Sequence, residues 1–385
     1  MTNSIPVFEI YWDEDEVKNA IDSITRGGYW AKGPYVDRFE AKLEQYFDRE
    51  HAVTVNSGTT ALVAALKALG IGGDDEVIVP SFTFIATANA VRLAGGEPVF
   101  ADIEPDTLGL DPHDVQRRIT ADTAAILPVH CYGASCRIDE LAKLADEYDL
   151  ALVEDAAEAL GAKLNGKKVG TFGDSAALSF CQNKVITTGE GGAVLTDDDT
   201  IARNLQRYTS HGRASSAYFE DTGSGTYVSL GTNNRMSDLT ASVGCAQIDK
   251  VKQIIEARRR VAERLNRAFE SMPGVRPHAR GTDGRHVYQL YTVLFDSDVN
   301  RDIVVEKLSE DDISSKVYWD PPIHATQYYR DTHKQGGESL PVTDEISSRV
   351  LSLPLHPDLS SEEVERIVTA VEEGINECCE YKLIK

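Results

Sequence analysis

The chain has 385 residues, and its 39 Lys and Arg against 62 Asp and Glu give a formal net charge of −23. Its length is enough for roughly two or three domains, and its 42% hydrophobic content can fill a large core, which excludes an intrinsically disordered chain. The acidic surface repels phosphate backbones and anionic lipids, so the charge argues against a nucleic-acid or membrane partner.

The N-terminal segment and the cysteines of the sequence indicate the cellular compartment of the protein. No run of 18 apolar residues occurs, and residues 1–16 are acidic where a secretory signal would be basic and then apolar. We therefore expect a soluble, cytoplasmic protein. The six cysteines lack the paired short spacings of a zinc site or of a secreted disulfide framework. They are predicted to be reduced thiols, and no metal site is predicted.

Short apolar segments alternate with amphipathic segments in the first part of the chain. Each predicted strand is followed by a predicted helix, with strands at 52–55, 76–79, 97–100, 124–127 and 150–153 and helices at 58–70, 83–94, 112–118 and 137–147. This alternation is typical of an α/β fold with a mostly parallel sheet covered by helices on both faces. Such sheets bind ligands at the carboxyl ends of their strands, so we expect function in the strand-to-helix loops.

The pattern changes after about residue 236. A long helical segment continues to Glu270, with three consecutive arginines at 258–260 expected on a solvated face. Strands near 287–295 and a final helix near 361–378 follow. We predict a large domain over residues 1–255 and a smaller α+β domain over residues 256–385.

A possible anion site follows the first predicted strand. Residues 56–60 read Asn-Ser-Gly-Thr-Thr and open a predicted helix, where backbone N–H groups and hydroxyls would converge at the positive helix N-terminus. Phosphate would fit there. A plain Ser/Thr N-cap explains the same residues, and it is the better explanation for this segment alone. The absence of a Walker loop and of G-x-G-x-x-G removes the commonest nucleotide-binding motifs.

An acid and a lysine complete the candidate chemistry. Asp155 ends an apolar strand at the sheet's carboxyl edge, where a buried carboxylate needs a partner such as a protonated ring nitrogen; a structural Asp bonded to loop amides is equally consistent. Lys184 follows an apolar strand and precedes the glycine-rich turn 187–192. An isolated lysine there would usually be a surface charge. Burial would make its amine a nucleophile toward aldehydes.

The possible anion site at 56–60, the acid Asp155 and Lys184 follow one another in an order that resembles that of the fold-type I enzymes that use pyridoxal 5′-phosphate. Further blocks resemble the DegT/StrS-type nucleotide-sugar aminotransferases and follow one another along nearly the whole chain: residues 5–6, 33–34, 39–40, 56–62, 80–84, 154–157, 188–192, 233–236, 321–324 and 351–355. The resemblance implies the fold of these enzymes, a large domain with a mixed, mostly parallel sheet between helices and a smaller C-terminal α+β domain.

The resemblance also assigns roles to individual residues. It implies that Lys184 forms the internal Schiff base and carries the proton, and that Asp155 keeps the pyridinium nitrogen protonated. Phe84 matches an aromatic residue over the cofactor ring, and Asn233 matches a residue that reaches the phosphate from the neighbouring subunit, which implies a homodimer with shared sites. The cofactor phosphate would be held by Ser57, Gly58, Thr59, Thr60 and Ser179.

A departure from the family pattern occurs three residues after the aspartate. The family commonly has Gln or His three residues after the aspartate, in contact with the ring oxygen of the cofactor, whereas this chain has Glu158. An ionised Glu beside a phenolate-like oxygen would repel it, so Glu158 must be protonated, turned away or paired with a cation. It is retained among the cofactor-binding residues.

Other polar residues are assigned by position. Tyr318, His324 and Tyr329 lie in the segment that approaches the nucleotide-sugar in similar enzymes; packing in the small domain explains them equally well. His130 is predicted to be a hydrogen-bonded histidine at a strand end and Cys181 to be buried and unreactive.

The predicted reaction is transfer of an amino group from glutamate to a keto group of a nucleotide-linked deoxysugar, with pyridoxal phosphate as cofactor. Two alternatives stay open. One is dehydration of a nucleotide sugar on the same fold, which Lys184 argues against because the dehydrating relatives replace this lysine with His. The other is a non-catalytic regulatory or binding protein, which has no need of both Lys184 and Asp155.

Overall fold

The computed structural model describes residues 4–214, 225–278, 284–332 and 339–384. Within them the helices are Glu14–Thr25 (α1), Pro34–Phe47 (α2), Gly58–Ala68 (α3), Ala86–Ala94 (α4), Pro112–Arg118 (α5), Ile138–Tyr148 (α6), Asp199–Tyr208 (α7), Asp238–Phe269 (α8), Arg301–Glu310 (α9), Gln327–Thr332 (α10), Pro341–Ser347 (α11) and Ser361–Ile384 (α12). The strands are His51–Val55 (β1), Glu76–Pro80 (β2), Glu97–Ala101 (β3), Thr123–Ile126 (β4), Ala151–Asp155 (β5), Lys163–Leu164 (β6), Lys167–Lys168 (β7), Ser175–Ser179 (β8), Gly192–Thr196 (β9), Val275–Pro277 (β10), Gly284–Arg285 (β11), Tyr291–Phe295 (β12) and Val350–Leu353 (β13).

Seven strands form the central sheet in the order β1-β9-β8-β5-β4-β2-β3. The neighbours β8, β5, β4, β2 and β3 pair in parallel, and β9 runs antiparallel between β1 and β8. Six of the seven strands therefore share one direction. This architecture confirms the predicted mixed, mostly parallel α/β sheet.

Helices cover both faces of the central sheet. Val77 and Val79 of β2 point into the core under α3, α4 and α7, whereas Ile78 between them points into the core under α5 and α6. The β1 side of the second face packs against α2 and α8 through residues such as Phe39 and Leu178. Alternate side chains of one strand thus enter opposite cores, which requires apolar residues throughout.

A second, antiparallel sheet has the order β10-β12-β13 and packs against α9, α12 and the C-terminal half of α8. Ile5 from the N-terminal segment joins this core. Helix α8 runs from the core of the large sheet to that of the small one, and residues 255 and 256 lie inside it. We propose that the division between the two domains falls within α8.

The sequence prediction for the arginines was wrong at Arg258. This side chain is 3% exposed and donates to the backbone carbonyls of Tyr288, Gln289 and Leu355, because α8 is covered on more than one face. Burial lowers the pKa of Arg258 to about 10. Arg260 is exposed, as predicted.

Two N-terminal helices were not predicted. The acidic residues at the start of α1 form its N-terminal cap. Asp13 accepts from the Asp15 amide at 2.9 Å, and Glu16 accepts from the Asp13 amide at 2.9 Å. Carboxylates at a helix N-terminus satisfy free N–H groups and oppose the helix dipole favourably. Over the described ranges, no helix has the length and apolarity that a membrane span needs.

Candidate active site

Three strands of the central sheet end at one pocket. The segment that follows β1 opens α3, β5 ends at Asp155, and β8 ends at Ser179, five residues before Lys184. Because these strands run in the same direction, their carboxyl ends meet at one edge of the sheet. The pocket has about 1080 Å³ of empty space open to solvent. Its walls include Ser57, Gly58, Thr59, Thr83, Phe84, Thr87, Asp155, Ala157, Glu158, Ser179, Cys181, Asn183, Lys184, Glu190, Tyr318 and Trp319.

The N-terminus of α3 forms one end of the pocket. Ser57 is its N-cap and accepts from the Thr60 amide at 3.1 Å, which confirms a Ser/Thr cap at this segment. The Thr60 hydroxyl bonds Ser57 Oγ and Asn56 Oδ1, both at 2.8 Å, and Thr60 does not line the pocket. Ser57, Gly58 and Thr59 do line it. The cap and an open helix N-terminus therefore coexist.

Gly58 is fixed by close packing against β8. A Cβ added at Gly58 would lie 2.7 Å from the Ser179 Cβ and 2.9 Å from its Oγ. The neighbouring Gly192 leaves equally little space, since its Cβ would lie 2.5 Å from the Ser57 carbonyl oxygen. The absent side chains let the backbone of α3 approach the end of the sheet, where Gly58 and Thr59 line the pocket.

Asp155 is a buried acid at the floor of the pocket. Its Oδ2 accepts from the Thr87 hydroxyl at 2.9 Å and its Oδ1 from the Ala157 amide at 3.2 Å. It forms no ion pair with any described residue. Burial raises the pKa of Asp155 above its ordinary value, and these two hydrogen bonds, with the Lys184 charge, offset only part of that effect. A cation placed beside this carboxylate would stabilise its ionised form.

Lys184 extends into the same pocket from the turn after β8. Its side chain is 15% exposed, and its Nζ lies 3.2 Å from Glu158 Oε1. Glu158 Oε2 accepts from the Tyr132 amide at 2.9 Å. Of the three conditions that the sequence left for Glu158, this structure shows pairing with a cation.

The neighbouring acid, Glu154, points away from the pocket. It is fully buried and accepts from His130 Nε2 at 3.0 Å and from the amides of Gly170, Phe172 and Gly173 at 2.6 to 2.9 Å. His130 Nδ1 in turn accepts from the Cys136 amide at 3.3 Å. His130 is therefore a hydrogen-bonded histidine at a strand end, as predicted.

The remaining sequence-predicted residues are divided between the pocket and other parts of the structure. Phe84 and Tyr318 line the pocket, and the Phe84 side chain is 58% exposed. His324 lies outside the pocket, where its ring nitrogens contact Ser81 Oγ at 2.7 Å and Asp344 Oδ1 at 3.2 Å. Tyr329 is fully buried in the core, and its hydroxyl donates to Asn89 Oδ1 at 2.9 Å. Asn233 is exposed and does not line the pocket of its own chain.

Several pocket residues were not identified from the sequence. Thr87 lies on α4 and reaches Asp155, but no motif marks a threonine inside a helix. Trp319 directly follows Tyr318 and also lines the pocket. The aromatic pair that these two residues form was the signal by which the sequence could have identified Trp319. Cys181 was predicted to be buried; it is partly exposed on the pocket wall, with its Sγ 3.7 Å from Glu190 Oε1.

The arrangement is suited to one kind of ligand. A helix N-terminus with small hydroxyl side chains can hold a phosphate, a buried acid without a cation can pair with a protonated ring nitrogen, and an amine can attach an aldehyde. All three groups line the same pocket. The described part of the chain has no group of three or more His, Cys, Asp or Glu side chains that could hold a metal ion.

Comparisons with known proteins agree over nearly the whole chain. The profile of the DegT/DnrJ/EryC1/StrS aminotransferase family matches residues 12–372. A GDP-perosamine synthase of Vibrio cholerae is 38% identical over 97% of this chain and 99% of its own. The structure of DesI in the presence of its TDP-sugar product has a TM-score of 0.88 and 31% identity, covering 99% of this chain and 96% of DesI. The PLP form of the putative sugar aminotransferase Spr1654 from Streptococcus pneumoniae has a TM-score of 0.89 and 26% identity, covering 97% and 99%.

Proposed function

The chain belongs to the DegT/DnrJ/EryC1/StrS aminotransferase family, and from this premise we propose that it transfers an amino group from glutamate to a keto group of a nucleotide-linked deoxysugar. The cofactor we propose is pyridoxal 5′-phosphate, held covalently by Lys184. One observation carries the proposal: an open helix N-terminus, a buried acid without a cation and an amine line a single pocket.

The pocket residues fit this cofactor. Gly58 packs against Ser179 without a side chain of its own, which keeps the N-terminus of α3 close to β8 at the end where a phosphate would lie. Asp155 lacks a cationic partner among the described residues, as expected of an acid that awaits a protonated ring nitrogen. The solved PLP form of a 26% identical sugar aminotransferase supports the same cofactor. When bound, pyridoxal phosphate supplies a carrier for the amino group and a sink for the electrons of the reacting carbon.

The residues at the two ends of the pocket would fix the cofactor. The amides of α3 from Gly58 and Thr59, with the hydroxyls of Ser57 and Ser179, would hold the phosphate by charge and hydrogen bonding. Thr60 would act indirectly, since its hydroxyl holds the cap. At the other end Asp155 would bind the ring N–H. Its carboxylate is oriented by Thr87 and is buried, which strengthens its electrostatic effect.

Lys184 would move the proton. Its amine lies on the same pocket wall as Glu158 and has little exposure, so water competes weakly with substrate for it. An amine held at one place can remove a proton from the substrate carbon and return it to the cofactor side, which contributes typically about 10²–10⁴-fold to a rate. Phe84, at the pocket wall, would restrict the tilt of the ring.

The substrate proposal rests on the relatives. The 38% identical relative is named for a GDP-linked sugar, and DesI was solved with a TDP-sugar product. Both names support a nucleotide-linked sugar and differ in the base. Among the predicted substrate-binding residues, Tyr318 lines the pocket and is proposed to contact the sugar, whereas His324 and Tyr329 are held elsewhere by Ser81, Asp344 and Asn89.

A homodimer with shared sites is part of the proposal. Helix α1 packs on α8 with one face and presents an apolar stripe on the other, and it adjoins further exposed aromatic residues. Exposed apolar patches of this kind usually mark a protein contact. We define the α1 face as Trp12, Val17, Ile21, Ile24, Tyr29, Trp30 and Leu239, all at least 41% exposed. Asn233 is exposed as well, which leaves it available to a second copy.

The proposed function is tested with isotopically labelled glutamate and a panel of nucleotide-linked ketosugars, beginning with a GDP-linked one. Mass spectrometry should find the label in an aminosugar product. Lys184→Ala should abolish transfer, and borohydride should trap pyridoxal phosphate on Lys184 in the wild type but trap none in Lys184→Ala. Exposed Lys252→Ala is the matched control and should behave as the wild type. A product whose sugar has lost a hydroxyl group and gained no labelled nitrogen would indicate dehydration instead.

Shared sites have a separate test. A mixture of Lys184→Ala and Asn233→Ala chains would contain mixed dimers in which one site has both residues. If each variant alone is weak, mixing and reassociation should restore about a quarter of the wild-type activity, since roughly half of randomly formed dimers are mixed. No recovery from chains that do exchange would contradict the contribution of Asn233 across the dimer.

A further inference from the structure

Glu158 connects the protein framework to the pocket lysine. One carboxylate oxygen, Oε2, accepts from the Tyr132 amide at 2.9 Å, and the other, Oε1, lies 3.2 Å from Lys184 Nζ. The Glu158 and Lys184 side chains are only 11% and 15% exposed. An ion pair with this little exposure is screened less by water and salt than a surface pair.

The framework behind Glu158 is rigid. Tyr132 is fully buried in a left-handed backbone conformation with φ of +57°. Its ring stacks on Trp319 with centroids 5.2 Å apart and planes 10° apart, and its hydroxyl donates to the Tyr318 carbonyl. The amide that holds Glu158 therefore belongs to a residue that cannot move without disturbing the pocket wall. Glu158 is positioned before any ligand enters.

We propose that Glu158 is a positioning residue whose carboxylate accepts a hydrogen bond from the Lys184 side-chain nitrogen and holds it on the pocket wall when the lysine is not attached to the cofactor. This role rests on the proposed function, in which Lys184 alternates between attached and free. Attachment to an aldehyde needs the uncharged amine. A carboxylate accepts a hydrogen bond from the uncharged amine, which takes the proton from the substrate carbon, and also from the ammonium, which carries that proton until it is returned to the cofactor side. Glu158 therefore keeps a released lysine at one place on the pocket wall in both forms.

Other charged and titratable groups face the lysine and must be considered. Asp155 and Tyr318 interact electrostatically with Lys184, and the Cys181 thiol acts on Tyr318 in the same space. None of these side chains forms a hydrogen bond or ion pair with the amine among the described contacts, whereas Glu158 forms both. Glu190 also lines the pocket and contacts Cys181, not Lys184. It provides a matched control.

The test uses cofactor-free protein, so it does not depend on turnover. Lys184 is acetylated with acetic anhydride over a range of pH, and its labelling rate is measured by peptide mass spectrometry against exposed Lys252 in the same sample. In Glu158→Gln, Lys184 should be acetylated about 3- to 10-fold faster than in the wild type near pH 8, because the carboxylate that stabilises the ammonium form is gone. Glu190→Gln should label at the wild-type rate.

Equal rates in Glu158→Gln and wild type, or an equal increase in Glu190→Gln, would overturn the proposal. If Glu158→Gln does not fold, Glu158→Asp keeps the charge but withdraws it by one methylene, and a smaller increase in the same direction is expected. Failures of the two proposals are distinguishable. Sugar amination without a labelling effect contradicts only the role of Glu158, and a labelling effect without sugar amination contradicts only the proposed function.

Discussion

At adjacent positions of one strand, the two sides of the central sheet shift the pKa of a buried carboxyl group in opposite directions. Glu154 and Asp155 end β5, are both buried and face opposite sides. On the Glu154 side, burial favours the neutral acid, but His130 and the amides of the 170–173 loop outweigh it and lower the pKa of Glu154. On the Asp155 side only two donors are present, so burial prevails and raises the pKa of Asp155.

The difference shows that the number of hydrogen-bond partners, more than burial, sets the direction of the pKa shift: it separates Glu154 from Asp155, for which we propose a role in binding the cofactor. All the hydrogen bonds that the Glu154 carboxylate accepts come from the protein itself, so this side chain holds β5 to the 170–173 loop. Asp155 retains capacity toward the pocket.

Asp155→Asn should lower kcat/KM for amination roughly 10²–10³-fold, because it removes a preorganised charge without changing shape. The same variant should unfold in urea at the same or a higher concentration than wild type, since an acid that burial destabilises is gone. Steady-state kinetics and urea titration of the cofactor-free protein measure the two effects. A variant that lost stability and kept activity would reverse the assignment of this residue.

Glu154→Gln should do the opposite. Each Glu154 oxygen accepts two hydrogen bonds, and a glutamine side chain has only one oxygen, so two buried donors lose their acceptor. We expect a loss of about 3 kcal/mol in the free energy of unfolding, with kcat/KM of the folded protein changed only a few-fold. Denaturant unfolding at several protein concentrations gives the stability, and kinetics well below the melting temperature give the activity. A large loss of kcat/KM in a stable variant would contradict the structural role.

Gly58→Ala should affect the pocket side alone. The added Cβ would meet Ser179 at 2.7 Å, and relieving this contact should cost about 1–3 kcal/mol and weaken binding of pyridoxal phosphate. Gly28→Ala is the control, because Gly28 has no atom within 4 Å of the added Cβ and no positive φ. Thermal unfolding and cofactor titration compare the two variants. Equal effects at both positions would mean that the close approach of α3 to β8 is unimportant.

The smallest effect is a dependence of these differences on pH. Because the folded-state pKa of Glu154 is lowered, its contribution to stability is present above its ordinary value near 4.5 and disappears as the pH falls through the folded value. Because the folded-state pKa of Asp155 is raised, its unfavourable contribution grows as the pH rises above 3.8. Urea unfolding at acid and neutral pH should show both variants approaching the wild type at acid pH, from opposite sides.

Much of the large sheet was predictable because its strands are buried on both faces. The predicted strand 76–79 is observed as Glu76–Pro80, and the predicted helix 112–118 is observed with the same bounds. The antiparallel strand β9 was missed, since its glycine and alanine residues next to a glycine-rich turn gave no periodic signal. Helix α1 was missed because part of its apolar stripe faces solvent, where it carries no signal of a core.

The candidate site was predictable to the extent that topology determines it. Asp155 and Lys184 are 29 residues apart and share a pocket because β5 and β8 are parallel neighbours. The pairing of Glu158 with Lys184 was not predictable. It depends on the position of the Tyr132 amide, which is set by tertiary packing. For the same reason Tyr329 could not be assigned to the core from the sequence.

Helix α8 extends for 32 residues, about 48 Å, through both cores, and Arg258 fastens its middle to three carbonyls beside the small sheet. An uninterrupted rod of this length cannot act as a hinge. If the pocket opens or closes between Lys184 and the Tyr318–Trp319 wall, the backbone must therefore bend in the other segments that connect the two sheets. Helix α8 would keep the relative orientation of the two cores fixed.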